Sequence, residues 1–407
     1  MIDQSHFDDD AMTLSFDIYT EQLGLAAGLG ISLFVLIGLI RRLFEPVERR
    51  MHIWAMLAFF AINALDMLDS ILFDGPFTGP AALYQWQDVL IPGFMVSLYF
   101  FVRGLTSSDP RLRQTDWVHV LPFAFALLCL APSLALPGQM RIGLDALNIG
   151  LPQQRLIAFG ENAFWILWIL VLILYGGICI RRLIRHKRVI RDLFSDLTGK
   201  TLRWLDGLVA TILLLALIVI VDEILILADL PKLRSGMVGV AFDLVLAIAF
   251  GVFALRAKPP LPRWSKDIKT DQKHQIPKPE QPQEAGASYA RSGLQAEDLE
   301  RYAKRLDARM SKDQLWRDHD LNLRSLAAAI AVPPIHLSEV LNSHLGLSFY
   351  DYVNQFRIKD ACDLLATPGL SILEISETVG FNAKSTFNAS FRKVAGQTPS
   401  EWRRRHL

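Results

Sequence analysis

The sequence predicts an all-α protein: a seven-helix transmembrane bundle followed, after a proline-rich linker, by a small C-terminal helical domain with two helix-turn-helix patterns. Three observations predict this. The chain has 407 residues, 52% of them hydrophobic, and the apolar excess lies before Leu255. That excess falls into seven stretches, near 23–43, 53–73, 88–106, 117–136, 157–180, 208–230 and 236–255, each close to the about 20 apolar residues that cross a hydrocarbon core. Beyond the linker the apolar residues recur at helical spacing, in short runs separated by Pro and Gly.

Residues 1–22 carry Asp3, Asp8, Asp9, Asp10, Asp17 and Glu21 and no Lys or Arg, so they lack the positive start of a secretory signal. They read as an extracytoplasmic tail. The stretch 23–256 reads as the seven-span domain. Pro92, Pro122 and Pro132 interrupt its third and fourth spans, as spanning helices tolerate. Orientation follows from the loops. Arg41, Arg42, Arg49 and Arg50 fill the first, Arg103, Arg111 and Arg113 the third, and the run from Arg181 to Arg203 the fifth. The even-numbered loops hold few cations, so the N-terminus is expected outside and the C-terminus in the cytoplasm, as a multi-pass protein of the inner membrane.

Residues 257–293 form the linker: Pro259, Pro260, Pro262, Pro277, Pro279 and Pro282 alternate with Lys, Gln, Asp and Glu, a composition without enough apolar surface for a core. Its basic start, Arg256, Lys258, Arg263, Lys266 and Lys269, reads as the end of the last positive-inside loop, contact with anionic membrane lipid being the other reading. From residue 294 a helix with Leu299, Tyr302, Leu306 and Met310 on one face is expected to pack on the first helix-turn-helix. In that unit Leu323, Leu326, Ala327 and Ile330 share a face, Pro333 and Pro334 break the helix, and Leu337, Val340 and Leu341 form a second face. A connecting helix runs from Phe349 to Ala366 and stops at Thr367-Pro368-Gly369. The second unit opens on a capping box, Ser371-Ile-Leu-Glu374. Gly380 turns the chain, Asn382 is expected to cap the next helix, and Phe387, Phe391 and Val394 lie at helical spacing.

At the residue level this end of the chain resembles a known family. Gly380-Phe381, Phe387, Phe391-Arg392-Lys393, Gly396-Gln397-Thr398-Pro399 and Trp402-Arg403 are similar in type and spacing to the signature of AraC/XylS-type transcription regulators. The stretch Ser348–Ala361 and the first unit are similar to the same family. The resemblance covers roughly the last quarter of the chain, 294–407. It implies a DNA-binding domain in which each unit lays its second helix in a major groove. It also implies base-facing roles for Ile335, Ser338, Glu339 and Asn342 in the first unit, and for Lys384, Ser385, Asn388 and Ala389 in the second. Glu339 departs from the basic or amide side chain usual there, and an acid repels phosphate. Arg392, Lys393, Arg403, Arg404 and Arg405 are better placed for phosphates. The implied partner is double-stranded DNA, and the implied class a membrane-bound one-component regulator rather than an enzyme, with a homodimer as one open arrangement.

Within the apolar stretches, Asp66, Asp69, His119, Glu161, Asp222, Glu223 and Asp243 stand out. Ionisable groups there are costly and face the bundle interior. They are candidates for sensing a small ligand or a proton signal, the other reading being interhelical hydrogen bonding. Asp66 and Asp69 share a helical face, and a meeting of that face with Asp222 or Glu223 is the arrangement expected of a switch. Cys129, Cys179 and Cys362 suit neither a disulfide framework nor zinc-ligand spacing. No phosphate-binding glycine loop, metal-ligand cluster or nucleophile elbow is present, so no metal and no cofactor is expected. A transporter or membrane enzyme with a fused regulatory domain is the alternative class.

Overall fold

The computed structural model describes residues 4–45, 50–73, 79–142, 150–197, 200, 202–227, 230, 236–259, 261, 265 and 295–406. Among them the architecture is all helical. Paired backbone outside helices amounts to one isolated antiparallel bridge, Phe194 with Asn322. The chain divides into two compact units, Met1–Leu183 with Arg203–Pro259, and Ile184–Leu202 with Pro260–Leu407.

In the first unit the helices are α1 (Gln4–Leu43), α2 (Met51–Phe73), α3 (Gly93–Thr106), α4 (Leu121–Leu134), α5 (Gly138–Ile142), α6 (Leu151–Leu193, whose end belongs to the second unit), α7 (Arg203–Leu227) and α8 (Gly236–Arg256). Among the described residues, each of the seven apolar stretches lies mainly on helical structure. Five segments among the described residues are long and apolar enough to cross a membrane: Tyr19–Leu43, Met51–Phe73, Ala81–Thr106, Gln114–Leu134 and Pro152–Leu193. α1 starts well upstream of the apolar stretch, because the acidic residues ahead of it include no Gly or Pro to stop a helix. The prolines have local effects. Pro92 sits at the N-cap of α3, after the 3₁₀ turn Trp86–Leu90, and Pro122 lies in the first turn of α4, after the 3₁₀ segment Gln114–Val120. At these positions the missing N–H leaves no helical bond unmade.

α2 packs between α1 and α3, and α1 also lies against α8. Phe59 of α2 stacks on Phe250 of α8 at 5.3 Å and meets Phe94 of α3 edge-on at 5.2 Å. The α2–α3 crossing is close because Gly104 has no side chain: a Cβ there would come within 2.7 Å of the His52 backbone nitrogen.

α6 has 43 residues, about 64 Å at 1.5 Å per residue, twice the thickness of a hydrocarbon core. The expected span 157–180 lies within it. The Arg- and Lys-rich sequence beyond contains no breaker, so the helix continues to Leu193.

The second unit holds α9 (Ala296–Asp313), α10 (Leu323–Ala329), α11 (Pro334–Glu339), α12 (Phe349–Leu365), α13 (Ile372–Thr378), α14 (Lys384–Ala395) and α15 (Pro399–His406). α9 packs on the first helix-turn-helix as its apolar stripe predicts: Leu299 is buried with Val340, and Tyr302 stacks on His336. One core lies under α9, α10, α11 and the start of α12, with Met310, Trp316, Leu326, Leu337 and Val353 in it. A second lies under the end of α12, α13 and α14, with Ile358, Ile375, Phe387 and Phe391. Apart from 257–259, Leu261 and Ser265, the expected linker lies outside the described residues.

Candidate nucleic-acid interface

The second helix-turn-helix is set by local chemistry readable one residue at a time. The Ser371 N–H donates to Glu374 Oε2 at 2.7 Å and the Glu374 N–H to Ser371 Oγ at 3.2 Å, so the capping box fixes the start of α13. Gly380 has φ +98°, and a Cβ on it would lie 2.7 Å from the Trp316 carbonyl oxygen. Both the turn and the close approach therefore require glycine. Asn382 does not cap α14. Ala383 occupies the N-cap with no side-chain bond, and Asn382 Nδ2 donates instead to Asp196 Oδ2 at 2.8 Å. A cap would use the Asn382 amide oxygen as acceptor; here the side chain is instead held by its NH2 group, in a charge-assisted bond to the carboxylate.

α14 buries Phe387, Ser390 and Phe391 and leaves Lys384, Ser385, Asn388 and Ala389 exposed, which is the face expected to read bases. Ser390 is held by a hydrogen bond with the Tyr350 hydroxyl at 3.1 Å. Beyond α14, Thr398 and Glu401 form a second reciprocal cap that starts α15. Arg392, Arg404 and Arg405 are exposed. Arg403 is half-buried and donates to the Leu370 carbonyl at 2.8 Å. Lys393 is exposed, and its ammonium lies 2.6 Å from Asp351 Oδ1.

In the first unit Asn342 is exposed and Ile335 and Glu339 are half-buried. Ser338 is only 5% exposed, and its Oγ accepts from Asn342 Nδ2 at 3.3 Å. Three residues before the buried Leu341, it lies on the edge of the apolar stripe, and a side chain this small is covered by its neighbours. α11 is short and runs into a π-helical turn, Val340–His344, which shifts the register of the residues after Glu339.

Two polar clusters brace the unit. Asp360 accepts from Trp316 Nε1 at 2.8 Å and from Arg317 Nε and Nη2 at 2.7 and 2.9 Å. Burial works against its ionisation, but the bonds from Arg317 and Trp316 and the Arg317 charge outweigh it and lower its pKa. Because the folded value is depressed, this group contributes stability above the ordinary carboxylate value. That contribution is lost as pH falls through the folded value. We expect the protease resistance of α9–α12 in the full chain to fall below about pH 4, and Asp360→Asn to flatten that dependence. An unchanged profile would show that the Arg317–Asp360 contact adds nothing.

The other cluster surrounds Arg357, 0% exposed. Its Nε donates to the Trp316 carbonyl at 2.7 Å and Nη2 to that of Asp318 at 2.8 Å, and further bonds reach Ser195. Burial, partly offset by Asp196, Tyr350 and Asp318, pushes its pKa down to about 10, so it remains charged at neutral pH. From the sequence Arg191 reads only as a loop cation, and Arg357, Asp351 and Asp196 carry no assigned role. Arg357 had a signal: with Val353 four residues before and Ala361 four after, it stands on the buried stripe of α12.

The candidate sensing residues lie in the first unit. Asp69 Oδ2 accepts from Gln87 Nε2 at 2.6 Å, and Asp66 and Glu161 are half-buried. His119 Nδ1 is hydrogen-bonded with the Tyr175 hydroxyl at 2.7 Å, and its ring packs against those of Tyr99 and Phe100. The side chains of Asp222, Glu223 and Asp243 lie outside the described set, and with them the expected meeting of the Asp66/Asp69 face with α7. Among the described residues no group of three or more His, Cys, Asp or Glu could hold a metal.

Comparison with known proteins bears on the C-terminal unit. Residues 326–405 match the family model described as a helix-turn-helix domain. The chain is 33% identical over 88 residues to HTH-type transcriptional regulator GlxA of Rhizobium meliloti, covering 22% of this chain and 27% of that one. It is 31% identical over 86 residues to the arabinose operon regulatory protein of Escherichia coli, covering 21% of this chain and 30% of that one. The Msm operon regulatory protein of Streptococcus mutans is 32% identical over 84 residues, with 21% and 30% covered. The chain thus spans about a third or less of these relatives' length. Among solved structures, the C-terminal domain of AraT, a response regulator from Geobacillus stearothermophilus, is 29% identical, covering 26% of this chain and 85% of that one at a TM-score of 0.24. The C-terminal unit carries an AraC-type helix-turn-helix DNA-binding domain.

Proposed function

We propose that this chain is a membrane-bound one-component transcription regulator. Two helix-turn-helix units bind DNA in a sequence-specific way, under the control of a seven-span sensor. The observation that carries the reading is the exposed face of α14, Lys384, Ser385, Asn388 and Ala389, on a helix whose other face is locked into an aromatic core. A rigid helix with a short polar face is what major-groove readout needs. Phosphate contacts fall to Arg392, Lys393, Arg404 and Arg405, with Arg403 holding α15 to the Leu370 carbonyl. In the first unit Ile335, Glu339 and Asn342 are the available base-facing residues.

The membrane part of the reading rests on the apolar helices and on the cation-rich odd-numbered loops, which support a C-terminal unit on the cytoplasmic side, where DNA is. Asp66, Asp69, His119 and Glu161, with Asp222, Glu223 and Asp243 on α7 and α8, are the proposed sensing groups, for a proton or a small ligand. The test is sequence selection by the full chain in nanodiscs from a randomised duplex pool. Lys384→Ala and Asn388→Ala are expected to change the selected bases at distinct positions, each by about 1–3 kcal/mol of discrimination. Selection of the same sequence by both variants would remove α14 as the reading helix.

A further inference from the structure

α6 does not end where its apolar stretch ends. It carries Arg191 and Leu193 into the second unit, and the chain runs on outside the helix through Ser195 and Asp196. Phe194 bridges to Asn322. The Ser195 N–H and hydroxyl both donate to the Leu321 carbonyl, at 3.3 and 2.6 Å. The Ser195 carbonyl and hydroxyl in turn accept from Arg357 Nη1 and Nη2, at 3.3 and 3.2 Å. Ile190, Leu193 and Phe194 are buried in the same core as Met310, Trp316 and Leu326. This is a built interface: apolar at its centre, backbone-paired at one edge, and completing the bonds of a buried guanidinium.

Its polar rim lies against the residues assigned to DNA. Arg191 Nη2 donates to Asp351 Oδ2 at 2.8 Å, on the carboxylate whose other oxygen holds Lys393 at 2.6 Å. Asp196 holds Asn382, two residues ahead of α14. Charge decides what this arrangement does. Residues 294–407 contain fifteen Lys and Arg against fourteen Asp and Glu, whereas 184–202 contain five against two. A nearly neutral domain binds phosphate poorly, and Asp351 alone would neutralise Lys393. With Arg191 on the same carboxylate, the three side chains together keep one positive charge.

We infer that the Ile184–Leu202 segment is a docked component of the DNA-binding unit: Arg191 takes up the Asp351 carboxylate so that Lys393 can reach a DNA phosphate, and Asp196 fixes the turn ahead of α14. The inference rests on the DNA-binding reading above. It makes the cytoplasmic end of α6 the covalent route by which the sensor reaches the DNA face, and Arg191, Ser195 and Asp196 positioning residues.

The experiment uses the full chain in nanodiscs and the duplex that the wild type enriches from a randomised pool. Arg191→Ala is expected to weaken binding about fivefold and to lower the salt slope by about one phosphate contact. Asp351→Asn alone is expected to bind at least as tightly as wild type, since the amide keeps the Ser348 contact and releases Lys393. Adding Asp351→Asn to Arg191→Ala is expected to restore both affinity and slope to within about twofold. A role in holding the fold alone would leave the double variant as weak as Arg191→Ala or weaker, and that result overturns the inference, as does an unchanged slope in Arg191→Ala. Failure of the wild type to enrich any duplex overturns the DNA-binding reading and this inference with it.

Discussion

Arg357→Ala is expected to cost the C-terminal unit about 3–5 kcal/mol and to abolish DNA binding by the full chain. The guanidinium is 0% exposed and bonds to the carbonyls of Trp316, Asp318 and Ser195 and to the Ser195 hydroxyl. It lies 5.3 Å from the centre of the Phe381 ring. Its removal strands the buried Trp316 and Ser195 acceptors and leaves a void beside the Phe381 ring. Arg357→Lys keeps the charge but not the fork, so it cannot serve carbonyls on three sides and is expected to recover less than half of the loss. Urea-dependent proteolysis of the full chain, read on α9–α14, measures both. A midpoint for Arg357→Ala within error of wild type would mean that solvent replaces these bonds at no cost.

Phe387→Ala is expected to cost a similar amount, about 3–5 kcal/mol. Phe387 is fully buried between Phe381 at 5.3 Å and Phe391 at 5.6 Å, both edge-on. It is the residue through which the recognition helix is seated, so the loss should be concentrated in α13 and α14 and should leave α9–α11, in the other core, nearly untouched. Hydrogen exchange on the full chain separates the two regions. Phe387→Leu keeps most of the volume and is expected to cost less than half as much. Equal loss of protection in both cores would show that they unfold as one.

How far the sequence carried depended on the distance over which each interaction acts. The capping box Ser371–Glu374, the turn at Gly380 and the stripe of α9 all depend on neighbours within a few residues, and the pattern shows them. The apolar stretches were legible for the same reason, although the polar extensions of α1 and α6 were not, since a helix continues where nothing stops it. Asn382 shows where local reasoning ends. Its type and place suit a cap, but its partner is Asp196, 186 positions away in the chain. Ser195 meets Leu321 across a separation of 126. No periodicity encodes such pairings, because tertiary packing alone brings the two ends together. The burial of Ser338 belongs with them: its helix was expected, but its cover comes from tertiary packing, α10 lying against α11 and α9 against the π turn that follows it.

The measurement that tests the account most directly is binding of the enriched duplex to membrane vesicles carrying the uncleaved chain, prepared in both orientations. Apolar helices in the first unit and exposed α14 in the second predict saturable, sequence-dependent binding that sediments with inside-out vesicles and is absent from sealed right-side-out ones. Binding activity found only in a soluble C-terminal fragment, or equal in the two orientations, would contradict a regulator that reads DNA from the membrane.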